Sequence, residues 1–173
     1  THNIRQHVYN PFAEYGILHF QLLSGCDRYA NFIQLFSYCG CLFGVSLISK
    51  ELGGSRKEQW LSAVILATIP MAIVQATSVQ NDLVASYWLV VFVYFCLRVF
   101  KKFSFLYVVQ LSLALGFALL TKGTSYIFGG SFLFLLTLCL RKYSLRKSIQ
   151  SVFILAVVVF LINGSYFYRN HKS

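Results

Sequence analysis

The sequence predicts an all-α fold, a polytopic bundle of membrane-spanning helices, and three observations lead to that prediction. Of the 173 residues, 57% are hydrophobic and only 12% are charged, about half the charged share of a typical soluble domain. The apolar residues form continuous runs rather than alternating positions, which favours helices over the strands of a barrel. Short basic loops separate the runs, and this is the pattern of a multi-pass membrane protein.

The N-terminal part of the chain, residues 1–28, differs from the rest because polar residues interrupt its apolar ones. Asn10 and Pro11 form a good helix start, with Asn as the N-cap and Pro at the first helical position. The following stretch, Phe12–Leu23, contains Glu14 and is too short to span a bilayer. We therefore expect an outward-facing loop and an amphipathic helix that lies in the membrane interface.

Six apolar runs follow, and each approaches the roughly 17–25 helical residues that cross a bilayer. They predict a transmembrane core of about six helices at residues 29–168, followed by an outward loop that starts at 169–173. Pro70 is expected to kink the second helix, and the fourth and fifth runs could instead form a tilted or re-entrant hairpin. The runs are Tyr29–Ile48, Leu61–Val79, Leu83–Phe100, Ser104–Thr121, Ser125–Leu140 and Ile149–Tyr168.

The loops alternate in charge along the chain. The positive-inside rule assigns the loops that hold most of the basic residues to the cytoplasm, so Asp82, Lys122 and both ends of the chain face outward. The net charge of +10 therefore reflects membrane topology and not a surface for nucleic acid. The basic residues of the cytoplasmic loops are Lys50, Arg56, Lys57, Arg98, Lys101, Lys102, Arg141, Lys142, Arg146 and Lys147.

Two charged residues on the predicted outward face are candidates for function. Asp82 lies between two apolar runs, where a carboxylate that faced lipid would cost a few kcal/mol, so it marks a functional site or a water-filled cavity. The alternative is an ordinary loop residue in bulk water. Lys122 stands against the positive-inside bias, which favours the binding of a lipid phosphate. Its alternative is a lysine that complements the helix dipole or extends to the interface.

Metal-binding and packing residues give weaker signals. No histidine or cysteine spacing matches a metal-ligand motif, although His7, Glu14 and Asp82 could meet in three dimensions. The five cysteines are expected to be small packing residues. Close helix packing is expected at Gly40, Gly44, Gly116, Gly129, Gly130 and Gly164.

Four segments occur in order on the predicted outward face: Asn10–Glu14, Ile69–Asp82, Leu119–Thr124 and Tyr168–Asn170. Together they resemble the GT-C membrane glycosyltransferases, which include the protein O-mannosyltransferases, the lipid A aminoarabinose transferases and many bacterial relatives. The likeness runs through nearly the whole chain. It departs from the family pattern at Asn10, where histidine is common, and at Phe12, where proline is common.

The resemblance implies transfer of a sugar from a polyprenyl-phosphate donor to a lipid, glycan or protein acceptor on the outer face of a bacterial inner membrane. Lys122, then Arg169, would bind the donor phosphate, with Asn10 as a further substrate-binding residue. Asp82 would be an active-site carboxylate, with Glu14 as a second candidate. No cofactor is required by these motifs, and a divalent metal ion is left open.

The principal catalytic acid of the family follows its first span, and that segment would lie upstream of Thr1. We therefore expect this sequence to be an inactive piece of a larger enzyme. Two other classes stay open. A transporter or channel domain would use Asp82 and Lys122 to line a substrate path, but no internal repeat accompanies them. A non-catalytic membrane scaffold would simply pair the two residues across helices.

Overall fold

The computed structural model describes residues 10–172, without the side chains at positions 132, 135, 139 and 172. All regular structure in this part of the chain is helical, and no strand occurs in it, which confirms the predicted fold class. The helices are α1 (Phe12–Ser24), a 3₁₀ turn (Asp27–Tyr29), α2 (Phe32–Glu51), α3 (Arg56–Ala67), α4 (Pro70–Ala76), α5 (Asp82–Lys101), α6 (Phe105–Thr121), α7 (Ser125–Leu140) and α8 (Leu145–Lys172).

Helix length and composition identify the membrane-spanning candidates among the described residues. Three segments are long and apolar enough to cross a bilayer, namely Asp27–Glu51, Asp82–Lys101 and Leu145–His171. The pair α3 and α4 adds a fourth if it counts as one broken span. Helices α6 and α7 are apolar but shorter, at 17 and 16 residues. The chain is thus a helical protein with three or four such spans, and the count of six stays a prediction.

Proline breaks the second predicted span. Pro70 is the first residue of α4, and Ile69 before it is extended, with φ −70° and ψ 111°. A proline disfavours the helical conformation in the residue before it and cannot donate a backbone hydrogen bond. The axes of α3 and α4 consequently differ by 69°. The expected kink is therefore a complete break between two helices.

Helices α5 and α6 form the centre of the bundle. Helices α2 and α6 pack on α5, α7 contacts both α5 and α6, and α8 packs against α6. Helix α1 contacts α2 and α6. The main core lies among α5, α6 and α7, and its buried residues are Phe92, Cys96, Val99, Val108, Leu111, Ala114, Leu115, Leu119, Leu136 and Leu140. This arrangement fixes the start of α5 relative to the end of α6.

Glycines allow two of these helix pairs to approach closely. A Cβ at Gly40 would lie 2.5 Å from the ring of Tyr87, and a Cβ at Gly44 would overlap the side chain of Val90. A Cβ at Gly116 of α6 would lie 2.6 Å from the side chain of Ile162 in α8. These three packing predictions are confirmed.

Two other glycine predictions are wrong. Among the described residues, a Cβ at Gly130 would meet no atom within 4 Å, and a Cβ at Gly164 would meet only Phe160 of its own helix. Neither glycine is thus in close contact with a described residue of a neighbouring helix. Helical location alone did not reveal which glycines face a neighbouring helix.

The bundle has two chemically different ends. Helix α5 is 20 residues long, about 30 Å at 1.5 Å per residue, and it runs from Asp82 to Lys101. At its end, Arg98 and Lys101 form ion pairs with Glu51 at 3.2 and 3.0 Å, and Lys142 Nζ lies 3.5 Å from the Phe100 carbonyl oxygen. The three basic loops therefore meet there, which we call the basic end. The opposite end is called the Asp82 end.

Candidate functional site

Asp82 and Lys122 form an ion pair at the Asp82 end. Asp82 is the first residue of α5, and Lys122 follows the last residue of α6. The Lys122 ammonium donates a hydrogen bond to Asp82 Oδ1. The two side chains are 33% and 30% exposed, so the pair is accessible from outside the bundle. Sequence analysis placed the two residues on one face, and the structure brings them into contact.

The turn between α6 and α7 holds Lys122 in place. The Lys122 N–H donates to the Ala118 carbonyl at 3.2 Å, and the Lys122 carbonyl accepts from Ser125 N–H at 3.0 Å. Asn81 Nδ2 lies 3.5 Å from the Thr121 carbonyl oxygen, which ties the start of α5 to the end of α6. Both members of the ion pair are thus attached to backbone that is itself hydrogen-bonded.

Gln34 of α2 supports the same site from inside the bundle. Its side-chain Oε1 accepts a hydrogen bond from Leu83 N–H at 3.1 Å, which satisfies one of the free N–H groups in the first turn of α5. The Gln34 side chain is fully buried, and its Nε2 has no hydrogen-bond partner among the described residues. Sequence analysis missed this residue. The available signal was a glutamine within an apolar run, since such a side chain needs a partner.

Asn10 connects three parts of the chain at this end. It is 7% exposed, its Nδ2 donates to the Leu119 carbonyl, and its Oδ1 accepts from the Tyr166 hydroxyl at 2.9 Å. Because the amide is used in these contacts, it does not cap α1. Pro11 is the N-cap instead, and its carbonyl accepts from Tyr15 N–H at 3.0 Å. The predicted N-cap is therefore wrong by one residue.

The other two predicted site residues, Glu14 and Arg169, are not in direct contact with the ion pair. Glu14 is exposed on α1, and it forms no hydrogen bond or ion pair with another described residue. Arg169 is exposed on α8, which continues through Lys172, and its guanidinium lies 5.5 Å from the centre of the Tyr166 ring. Tyr166 in turn contacts Asn10. Arg169 thus belongs to the Asp82 end, whereas no contact joins Glu14 to Asp82.

An apolar groove opens beside the first turns of α5. Its volume is about 350 Å³, and it lies between α1, α2 and α5. Its walls are mostly apolar, and five of the eleven lining residues are aromatic: Phe12, Tyr15, Phe36, Tyr87 and Trp88. We call it the aromatic groove. A hydrocarbon chain is the kind of group that such walls accommodate.

The ion pair itself can bind an anion. A lysine ammonium has three N–H donors, and Asp82 accepts one of them. The others allow an anionic oxygen to bind Lys122 while the contact with Asp82 is kept. A phosphate oxygen suits this arrangement, because a charge-assisted hydrogen bond is stronger than a neutral one.

The described part of the chain contains no group of three or more His, Cys, Asp or Glu side chains that could hold a metal ion. His2, Arg5 and His7 lie outside the described residues, so the suggested meeting of His7 with Glu14 and Asp82 stays a prediction. The sequence matches no protein-family model, and neither a curated protein nor a solved structure matches the chain.

Proposed function

We propose that the chain forms the membrane core of a glycosyltransferase. The enzyme would move a sugar from a polyprenyl-phosphate donor to a lipid, glycan or protein acceptor at the outer face of a bacterial inner membrane. The observation that carries this proposal is the ion pair of Asp82 and Lys122. It offers a cation and a carboxylate together at the end of the bundle opposite the basic loops.

In this proposal six helical segments cross the membrane in turn: α2, the broken pair α3–α4, α5, α6, α7 and α8. Support comes from the contacts at the two ends of the bundle, because each segment starts at one end and finishes at the other. Helix α6 has 17 residues and would be about 25 Å long, which suits a bilayer that thins locally. Helix α1 would lie in the outer interface.

Lys122 would bind the donor phosphate and stabilise its charge as the glycosidic bond to the sugar breaks. Arg169 is the second candidate for that phosphate. Asn10 would act indirectly on the substrate, because its contacts with Leu119 and Tyr166 hold α6 and α8 together. The aromatic groove would lie against the apolar part of the substrate.

Asp82 would orient Lys122 and stabilise the positive charge that develops at the sugar in the transition state. The acceptor hydroxyl would attack the sugar while the phosphate leaves, and the proton of that hydroxyl needs a base. Glu14 is exposed and is the second candidate for that task after Asp82, whereas Asp27, which is also exposed, accepts a hydrogen bond from Gln21. The resemblance to the GT-C family instead implies that the principal acid is a residue other than Asp82 and Glu14.

The scaffold alternative is favoured by one observation, which is that the two charges already neutralise each other. The transporter alternative has less support. The described Asp, Glu, Lys and Arg residues lie in the loops or near helix ends, whereas a polar path needs such groups along the middle of the helices.

The first test replaces Asp82 by Asn in the full-length gene product. We expect transfer of radiolabelled sugar from the polyprenyl-phosphate donor to be lost in isolated membranes, with a normal level of protein. The loss follows because the amide is neutral and can no longer stabilise positive charge. The matched control is Asp27→Asn, the same change at a residue that accepts a hydrogen bond from Gln21. Normal transfer by Asp82→Asn would remove Asp82 from the active site.

A charge exchange then separates the transferase from the scaffold. The double variant Asp82→Lys with Lys122→Asp restores an opposite-charge pair. We expect it to recover thermal stability relative to either single reversal but not to recover sugar transfer. Recovery of both properties would make the ion pair structural rather than catalytic, because only the pairing would then matter. Absence of transfer even in the unchanged protein would favour the non-catalytic scaffold.

A further inference from the structure

We propose that the basic end contains a binding site for an anionic phospholipid, in the groove between α7 and α8. This inference concerns the end opposite Asp82 and Lys122, so it does not depend on the proposed transferase activity. The groove has a volume of about 310 Å³, and its lining includes Leu140, Arg141, Tyr143, Ser148 and Val152. It therefore combines a cation with mostly apolar walls, while the hydroxyl protons of Tyr143 and Ser148 are donated to backbone carbonyls.

Arg141 supplies the charge that recognises the headgroup. Its side chain is exposed, and it forms no hydrogen bond or ion pair with another described residue. A guanidinium presents a planar set of N–H donors that can bind two phosphate oxygens at once. The charge of Arg141 is thus available to a ligand in the groove.

Two lysines beside the groove are held by aromatic rings. Lys142 Nζ lies 5.0 Å from the centre of the Phe100 ring, and Lys147 Nζ lies 5.2 Å from that of Phe103. A ring contact positions an ammonium group without neutralising it. The α7–α8 loop itself is fixed, because the Tyr143 hydroxyl donates to the Val99 carbonyl at 2.7 Å. Neither lysine lines the groove, so Arg141 is its lining cation and the two lysines are fixed positive charges next to it in sequence.

The other groove at the basic end has the opposite character. It lies between α2 and α3, has a volume of about 540 Å³, and is lined by Glu58 and by no basic residue. Arg56 and Lys57 stand next to it in sequence without lining it. Because Arg141 lines the α7–α8 groove and Glu58 lines the α2–α3 groove, we expect an anionic lipid to bind in the α7–α8 groove.

The combination of groups identifies a phospholipid as the occupant. A free phosphate would use Arg141 but would leave the apolar walls uncovered. Helix α8 continues from the groove with Ile149 and Phe153, which are 60% and 68% exposed, and these residues offer a surface for acyl chains. Basic residues next to a membrane attract anionic lipids in any case, so the groove would add selectivity to that general attraction.

The experiment measures retained lipid by native mass spectrometry of the purified full-length protein. The protein is exposed in detergent to equal amounts of phosphatidylglycerol and phosphatidylcholine. We expect the unchanged protein to retain phosphatidylglycerol preferentially. The double variant Arg141→Gln with Lys142→Gln is expected to retain it roughly tenfold less, since the cation that lines the groove and the positive charge next to it are both lost.

The control is Arg56→Gln with Lys57→Gln, which removes the same Arg-Lys pair at the same end of the bundle. It should keep the preference for phosphatidylglycerol. A further variant, Val152→Trp, fills the groove and leaves every charge in place, and it should lose the bound lipid. The proposal is overturned if the control loses as much lipid as the Arg141 variant, if Val152→Trp retains the lipid, or if both lipids are retained equally.

Discussion

The ion pair between Asp82 and Lys122 contributes little to the stability of the fold. Each side chain is about one-third exposed, and pairs of that kind are worth roughly 0–1 kcal/mol. A carboxylate that faced lipid alone would cost several times as much. Pairing therefore offsets part of the cost of keeping both charges at this end of the bundle, while adding little to the stability of the fold.

Lys122→Ala tests the binding of the donor phosphate. We expect the apparent KM for the polyprenyl-phosphate sugar to rise about 10- to 100-fold, which corresponds to the loss of one hydrogen bond to a charged group. Initial rates over a range of donor concentrations in membranes measure the change. Lys102→Ala, at the basic end, is the control and should leave KM unchanged. An unchanged KM in Lys122→Ala would return Lys122 to the role of an interfacial lysine.

Only part of this site could be predicted from the sequence. The alternation of loop charge places Asp82 and Lys122 on one face, because topology follows from local composition. Their contact was one alternative that the sequence left open, and no local pattern could decide it, since it joins residues 40 positions apart. The support from Gln34 is equally hidden, because its partner Leu83 lies 49 positions away. Such contacts depend on which helices are neighbours, and a single sequence does not encode that in any local pattern.

The contact between α2 and α5 depends on two glycines one helical turn apart. Gly40 and Gly44 lie on the same side of α2 because residues four apart share a helix face. Tyr87 and Val90 of α5 occupy the space above them. Small residues at this spacing allow close backbone approach in membrane helices. The sequence predicted this role, but it assigned the same role to Gly130, which is in close contact with no described residue of a neighbouring helix.

Gly44→Ala tests this contact. The new methyl group would overlap Val90, and a valine in a helix has one strongly preferred side-chain rotamer, so it cannot turn aside. We expect a loss of about 1–3 kcal/mol in stability, as for other overpacked interiors, measured by unfolding in detergent. Gly130→Ala is the control and should not destabilise the protein, because no atom of the described residues lies within 4 Å of the new atom.

A second variant shows whether the overlap is the cause. Val90→Ala removes the methyl groups that Gly44→Ala would meet, so the double variant should be less destabilised than the sum of the two single changes. Simple addition of the two effects would mean that Gly44 acts through the backbone of α2 rather than through its contact with α5.

The two ends of the whole bundle follow from the order of its charges. Each segment that begins near Asp82 or Lys122 ends among basic residues, and the contacts of Glu51 and Tyr143 join the basic loops in space. This arrangement was predictable because loop charge alternates along the sequence. The central position of α5 was not predictable, since it results from contacts with four other helices.

Cysteine labelling tests this two-ended arrangement in cells. Cys26 is exposed between α1 and the 3₁₀ turn at the Asp82 end, whereas Cys41 and Cys96 are buried. We expect a membrane-impermeant maleimide to label Cys26 in intact cells. In a Cys26→Ser background, a cysteine introduced by Lys102→Cys at the basic end should react only after the membrane is permeabilised.

The pattern of labelling also shows on which side of the membrane Asp82 and Lys122 lie. Labelling of both positions in intact cells would contradict a bundle whose two ends lie on opposite sides of the membrane. The reverse pattern would keep the two ends but would place Asp82 and Lys122 in the cytoplasm, where an outward-facing polyprenyl-phosphate donor could not reach them. Only labelling of Cys26 from outside, with Lys102→Cys protected, agrees with both the charge asymmetry and the proposed site of sugar transfer.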